Sequence, residues 1–381
     1  MGMVRAEEQT TVTWLPAHPS EGSYSMQTYW QELDQARLPD DPYRIACPVS
    51  PKQWRGRRAS RLVRAWDRYM VYPRKVRRSC TGAIAHILDH SSAHLLDSIP
   101  PEVKTVVTVH DLIPLVDPTG LTEGQVERFR GVVDRLQLAD RLVAVSEHTR
   151  KELIRLLSIP EGRIHVVPNG VCHAGASAPS WPGRETLAAV REAGARLLVG
   201  SVGSTLDRKN LGVLARAAEE LVGKGISVAV ARAGGMVSDD LRRHFTAALG
   251  NEGFVEFGRL ETGELAEFYQ AIDVVVVPSR HEGFGLPVLE AMQYGRPVVA
   301  SGSTSLPEVG GEAALYFDPD DPAALVAHLE ALLDPDVRRT WREAGLERVK
   351  GFSWRRHLES LYGVYGELCG VSDTDRTEGW N

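Results

Sequence analysis

At 381 residues the chain exceeds what one hydrophobic core usually serves, so two domains of roughly 150 to 200 residues are expected. Its 43% hydrophobic and 25% charged residues are ordinary for a soluble globular protein, no run approaches the ~18 apolar residues of a membrane span, and the opening "MGMVRAEEQTTVTW" lacks the apolar core of a secretory signal. Four scattered cysteines with no CxxC pair argue against a disulfide or zinc framework, and together with a net charge of −6 the expectation is a cytoplasmic protein with no nucleic-acid partner.

Short runs rich in Val, Ile and Leu alternate with longer amphipathic stretches, the pattern of parallel sheets covered by helices on both faces, so the fold class is α/β. In the first half "TVTWLP", "YRIACP", "AIAHIL", "VKTVVTVH", "RLVAVS" and "RIHVVPNG" predict strands. Helices are predicted over Ser23 to Ala36, Ala59 to Met70, Glu123 to Gln137 and Glu147 to Leu157. Residues 52–78 hold eleven Lys or Arg and one Asp, which leaves 33 basic against 49 acidic residues elsewhere. Two readings of this segment stand. A helix could dock Leu62, Val63, Trp66 and Met70 on a core while its arginines face water, or a basic patch could meet an anionic membrane or a phosphorylated acceptor.

Residues 1–170 form the first expected domain, and the polar, small-residue stretch "CHAGASAPSWPGRET" reads as a linker over 171–187. The alternation restarts over 188–352 with "ARLLVGSVG", "ISVAVARAG", "GFVEFG", "IDVVVVP", "RPVVAS" and "AALYFDP", a second Rossmann-like unit. A final helix over 353–370, with Ser353 as its cap and a seam of Leu358, Leu361, Tyr362 and Tyr365, is placed to pack back on the N-terminal domain; the tail 371–381 reads as disordered.

In doubly wound folds ligands lie beyond the carboxyl ends of the strands, so the loops after the strands carry the chemistry. After "LLVGSVG" comes "STLDRKN", with Ser204 and, at the entry to the next helix, Arg208 and Lys209, a cationic cradle suited to a diphosphate. After "IDVVVVPS" comes "RHEGFGLPVLEAMQYG". Here Gly283 and Gly285 allow close backbone approach on either side of Phe284, and Leu286 and Pro287 open a helix. Glu290, about one turn into that helix, is placed to accept both hydroxyls of a ribose, and Glu282 in the bend faces whatever lies beyond the phosphates. A third loop, "SGSTSLPEVGG", offers Ser303, Thr304 and Glu308.

"EGFGLPVLE" resembles the E-x7-E motif of the retaining family 4 glycosyltransferases, and "VGSTLDRKNL" and "LPEVGGEAALYFDPDDPAAL" are similar to that family in order and spacing, so the resemblance covers Val199 to Leu325. It implies the GT-B fold, two Rossmann-like domains facing each other across a cleft. It implies a nucleotide-sugar donor, with Glu290 on the ribose, Glu282 at the donor sugar, and Arg208 with Lys209 on the diphosphate. Many members carry an arginine where this chain has Ser204, and Arg208 is the expected substitute. On the acceptor side "VTVHDLIPL", "AVSEHTRKEL" and "HVVPNGV" are similar to family segments. His110 resembles a histidine beside the transferred sugar, and Gly22 resembles a glycine of the loop under the donor phosphates. Asp89, His90 and His94 in "HILDHSSAHL" are candidate acceptor contacts.

Breaking the bond between anomeric carbon and phosphate oxygen builds negative charge on the diphosphate, which cations and helix amides stabilise without a metal or other cofactor. "VSDDL" and "DPDDP" read as helix starts capped by Ser238 and Asp321, not as metal-binding DxD motifs. The resemblance implies transfer with retention through an oxocarbenium-like state to a glycan, glycolipid or small-molecule natural product. The alternatives are a nucleotide-sugar epimerase and a non-catalytic nucleotide-sugar sensor. The missing GxGxxG after either first strand disfavours a dinucleotide oxidoreductase.

Overall fold

The computed structural model describes residues 9–18, 24–47, 61–171 and 181–370. The chain divides into two compact units, one made of residues up to 170 together with those from 354 onward, the other of residues 171–353.

Six parallel strands build the sheet of the N-terminal unit: β1 (Thr11–Leu15), β2 (Arg44–Ala46), β3 (Ile84–Ile87), β4 (Lys104–Val109), β5 (Arg141–Ala144) and β6 (Ile164–Val166), in the order β2-β1-β3-β4-β5-β6. The helices are α1 (Tyr24–Gln35), α2 (Arg61–Trp66), α3 (Tyr72–Ser79), α4 (Ile113–Val116), α5 (Glu123–Val133) and α6 (Glu147–Leu157). β3 is buried along its whole length, its one polar residue, His86, included. Ser146 starts α6, its hydroxyl accepting from the Thr149 amide at 3.0 Å.

The second unit carries α7 (Gly183–Glu192), α8 (Leu211–Gly223), α9 (Asp239–Leu249), α10 (Thr262–Ala271), α11 (Leu286–Gln293), α12 (Leu306–Gly310), α13 (Pro322–Ala331) and α14 (Pro335–Val349). Its strands are β7 (Leu197–Gly203), β8 (Val228–Gly234), β9 (Phe254–Phe257), β10 (Val274–Val277), β11 (Val298–Ser301) and β12 (Leu315–Phe317). They run parallel in the order β12-β11-β10-β7-β8-β9. From β7 the sheet grows one way through β8 and the other way through β10, so the crossovers reverse between β7 and β10. A crevice at the carboxyl ends of these two strands is where such a sheet receives a ligand. Ser238 and Asp321 cap α9 and α13, accepting from the amides of Leu241 and Ala323, as helix starts should.

The last helix, α15 (Trp354–Cys369), buries Leu358, Leu361, Tyr362 and Tyr365 against Val12, Trp14, Tyr29 and Leu33 of the N-terminal unit. A buried polar chain runs alongside. Trp14 donates to Tyr365 Oη at 3.1 Å; Tyr365 meets His86 Nδ1 at 2.6 Å; His86 Nε2 meets Thr108 Oγ1 at 2.8 Å. The chain continues through Tyr29, 3.4 Å from Thr108, to His357 at 2.9 Å and ends on the Pro168 carbonyl at 2.8 Å.

Two expectations are corrected. The apolar seam expected over residues 59–70 does not dock at Val63 and Trp66, which are 55% and 62% exposed, while Met70 is half-buried. A π-turn over Asp67–Val71 widens the helix and rotates its face, so Tyr72 and Val76 become the anchors, with the Tyr72 hydroxyl on the Pro16 carbonyl at 2.9 Å. The segment 171–187 is not all linker. Trp181 is buried, with its ring 4.8 Å from Phe257, and α7 follows directly with Leu187 and Val190 in the core. One aromatic anchor outweighs the small-residue composition around it. Residues 48–60, 172–180 and the tail from 371 lie outside the described residues.

Candidate active site

The loops after β7 and β10 meet at the switch point and are tied by their backbones: the Arg280 amide donates to the Arg208 carbonyl at 2.8 Å. Asn210 closes the first loop in the left-handed region (φ 51°), its side-chain amide donating to the Pro319 carbonyl at 2.7 Å and its oxygen accepting from Arg280 at 2.6 Å. Arg280 continues to Asp320 at 2.5 Å. These contacts deliver Arg208 and Lys209 to the second loop.

Lys209 Nζ lies 2.5 Å from Glu282 Oε1, and Arg208 lies 3.6 Å from Oε2 while donating to the His281 carbonyl at 2.9 Å. Ser279 adds a hydroxyl at 2.8 Å from Oε1. Burial alone would push the Glu282 carboxyl up; Lys209, Arg208 and Ser279 outweigh it and hold the group below the usual carboxylate range. Glu282 is therefore an ionised carboxylate at 8% exposure.

The third loop acts as a clamp. Thr304, also left-handed (φ 56°), accepts from the Glu282 amide at 3.2 Å, and the Ser305 hydroxyl is shared between the carbonyls of Glu282 and Phe284 at 3.0 and 2.9 Å. Gly285 starts α11 at φ 103°, where a Cβ would stand 2.6 Å from Leu306 Cδ2, so both the dihedral and the space require glycine. Pro287 brings no N–H, so the amides that open α11 are those of the residues just before it, where Phe284 and Gly285 are buried and Leu286 partly exposed.

Glu290 sits further along α11, half-buried, with Tyr269 Oη of α10 donating to Oε2 at 2.7 Å. Burial raises its carboxyl, opposed by the Tyr269 hydroxyl and the charge of Lys209. The two glutamates of one motif thus stand in opposite electrostatic settings. Ser204 is exposed, and its carbonyl, with that of Gly203, accepts from the guanidinium of Arg232, an arginine 1% exposed. Positive charge does lie under the loop that begins with Ser204, supplied by β8.

On the N-terminal unit Asp89, His90 and His110 come together. The His110 amide donates to His90 Nδ1 at 3.3 Å, and Asp89 Oδ1 lies 3.4 Å from the same nitrogen while capping the next turn through the Ser91 amide at 2.9 Å. His110 Nε2 donates to the Leu88 carbonyl at 2.9 Å, which leaves Nδ1 as an acceptor. Burial lowers its pKa and the charge of Asp89 only partly restores it, so the imidazole is neutral. His94 does not join this group; its Nε2 meets the Arg68 carbonyl at 3.3 Å and its ring lies 5.0 Å from Tyr69, which pins the helix before α3. Gly22 lies outside the described residues.

Sequence reasoning missed Ser279, Asn210, Arg232, Tyr269 and Ser305. Arg280, adjacent to the motif, was the one partner with a local signal, a cation directly preceding "HEGFG". Tyr269 lies in "AEFYQA", where an aromatic residue reads as core.

Residues 196–335 match the family described as Glycosyl transferases group 1, and residues 31–174 match Glycosyltransferase Family 4. The O-antigen chain mannosyltransferase B of Escherichia coli is 32% identical over 69% of this chain and 70% of its own length. A D-inositol 3-phosphate glycosyltransferase of Acidothermus cellulolyticus is 31% identical over 72% of this chain and 64% of its own length. Among solved structures, the sucrose-phosphate synthase of Thermosynechococcus elongatus superposes with a TM-score of 0.72 at 20% identity over 95% of this chain and 100% of that one. Anabaena HepE in complex with UDP and glucose gives 0.69 at 13% identity over 94% and 100%. These likenesses carry the GT-B fold.

Because Glu282 keeps its charge through Lys209, Lys209→Met should lower stability by about 3 kcal/mol near neutral pH, the scale for breaking a buried ion pair. Glu282 titrates below its unfolded value, so its contribution is complete above the unfolded pKa and is lost as pH falls through the folded one. The gap between wild type and variant should therefore narrow on acidification, read by urea unfolding at several pH values. A gap that stays constant into the acid range would mean that the pair does not set the charge of Glu282.

Proposed function

This chain belongs to glycosyltransferase family 4, and on that premise we propose that it transfers a hexosyl group from a UDP- or GDP-sugar, with retention and without a metal, to a hydroxyl of a glycan, glycolipid or small-molecule acceptor. The observation that carries the reading is the pairing of Glu282 with Lys209 at the switch point, eight residues ahead of a second carboxylate. Membership of a transferase family sets aside the epimerase and sensor alternatives.

In this proposal Glu290 accepts the ribose hydroxyls, and Lys209, Arg208 and the amides opening α11 receive the diphosphate. A diphosphate competes with Glu282 for Lys209. Donor binding then draws the cation toward the phosphates and frees the carboxylate to accept from the sugar hydroxyls. As the anomeric bond breaks, positive charge grows on the sugar and negative charge on the leaving oxygen, and the ionised Glu282 and the two cations stand with the matching signs. A diphosphate oxygen takes the acceptor proton, so no residue of the chain needs to be the base. On the N-terminal unit His110, with Nδ1 unprotonated, serves the transferred sugar as an acceptor of hydrogen bonds, and Asp89 and His90 serve the acceptor substrate.

Glu282→Gln should lower kcat by about 100-fold to 1,000-fold, as removal of one preorganised transition-state contact does. It should leave affinity for the nucleoside diphosphate unweakened, because the amide no longer holds Lys209. Transfer at the wild-type rate would remove Glu282 from the mechanism. Transfer should also survive EDTA; complete loss that Mn²⁺ or Mg²⁺ restores would overturn the metal-free reading.

We further propose that the basic segment holds the protein at an anionic membrane surface. Val63, Trp66 and Tyr69 are 55%, 62% and 48% exposed beside Arg64, Arg74, Lys75, Arg77 and Arg78, all exposed. Apolar and aromatic side chains set among cations suit the interface of a bilayer, where each cation near an anionic surface contributes about 1 kcal/mol. No described helix is long and apolar enough to cross a membrane. Vesicles of phosphatidylglycerol should retain the protein in low salt and phosphatidylcholine vesicles should not, and Trp66→Ala should weaken retention. Equal behaviour on both vesicles would end the proposal.

A further inference from the structure

We propose that Tyr269 is a positioning residue for the donor: its hydroxyl fixes the Glu290 carboxylate in the orientation and the ionised state that ribose requires. The proposal rests on the reading of Glu290 as the ribose acceptor.

Tyr269 is 0% exposed, and its Oη stands 2.7 Å from Glu290 Oε2. A carboxylate only accepts, so the phenol is the donor. Burial and the neighbouring Glu290 push the phenol well above its ordinary pKa, so it keeps its proton at every working pH. The ring itself cannot swing. It is stacked on Tyr294 at 5.5 Å and 12°, with Phe268 edge-on at 6.0 Å and 74°.

Glu290 therefore has one oxygen held by a rigid donor, and among the described residues that is its one side-chain hydrogen bond. An untethered glutamate would have to give up rotamer freedom when ribose binds; here that ordering is complete beforehand. The electrostatic role runs the same way. The groups facing the carboxylate are Tyr269 from α10 and Lys209 from the loop after β7, and both favour its charge against burial; Tyr294, which caps the end of α11, faces Tyr269. Without the hydroxyl, Lys209 alone opposes burial and the carboxyl takes its proton at a higher pH. A protonated carboxyl loses acceptor capacity toward a diol.

The test is calorimetric titration of UDP and GDP into the full chain across mildly acidic to neutral pH, together with donor kinetics. With the nucleotide that wild type prefers, Tyr269→Phe should bind about tenfold more weakly, the usual loss for one hydrogen bond to a charged group. The pH below which affinity falls should move upward, and donor KM should rise while kcat stays nearly unchanged. In a Glu290→Gln background the same phenylalanine should move no pH midpoint. Tyr294→Leu, which removes the stack and keeps the hydroxyl, should shift KM in the same direction and less far, and it serves if the phenylalanine variant does not fold. Loss of thermal stability with affinity and pH profile unchanged would make Tyr269 purely structural and overturn the proposal. Wild-type affinity in Glu290→Ala would instead overturn the ribose reading beneath it.

Discussion

A carboxylate at 8% exposure stays ionised only when cations and hydroxyls replace its water, and this requirement at Glu282 organises the donor side of the C-terminal unit. Lys209 and Arg208 must reach it from a different strand, so the loops after β7 and β10 have to be held in register. The Arg280 amide on the Arg208 carbonyl does this at 2.8 Å, and the Asn210 to Arg280 to Asp320 series reinforces it. Among the described residues three non-glycine positions are left-handed: Ser158 ends α6, and Asn210 and Thr304 lie in the loops after β7 and β11 around Glu282. Such conformations persist where the surroundings over-determine them, and Asn210 and Thr304 are pinned by side-chain hydrogen bonds.

The same demand explains why two glutamates eight residues apart in sequence differ so much in setting. Glu282 faces two cations and a hydroxyl; Glu290 faces a phenol, with Lys209 acting on it only through its field. A motif read as paired acids is a motif of unequal acids. One keeps a firm negative charge suited to a growing cation, and the other keeps a softer one suited to hydroxyl groups.

The twelve strands were legible as short segments rich in apolar and β-branched residues bounded by turn residues, and most plainly where burial on both faces leaves an unbroken apolar run, as in Val274–Val277. The loops after them were legible for the same reason, since topology puts chemistry at strand ends. What stayed hidden was set by partners distant in sequence. Tyr269 occupies a helix position indistinguishable from core, and only the packing of α10 beside α11 brings its hydroxyl to Glu290. The support that Arg232 gives the Gly203 and Ser204 carbonyls was likewise invisible until β7 and β8 pair at Ser201 and Arg232. The π-turn after Trp66 leads into Tyr72, whose hydroxyl reaches the Pro16 carbonyl, a contact between elements far apart in the chain.

On the N-terminal unit the direction of the buried polar chain follows from its two ends. The Pro168 carbonyl can only accept, so His357 carries its proton on Nδ1; burial lowers its pKa to about 4, so Nε2 is bare and accepts from Tyr29. At the other end Trp14 can only donate, which turns the Tyr365 hydroxyl toward His86 Nδ1; with the His86 pKa lowered to about 3, its single proton sits on Nε2 and goes to Thr108. Every member is neutral and each hydrogen bond points the same way. Such a network specifies one packing and tolerates no rotation of its parts. Two of its members, His357 and Tyr365, belong to α15, so the returning segment is part of the polar core of the unit it completes. Tyr29 also lies edge-on to His110, with ring centroids 4.8 Å apart at 84°. The wall that holds the neutral imidazole in place is thus built by a side chain near the start of the sequence and oriented by a helix near its end.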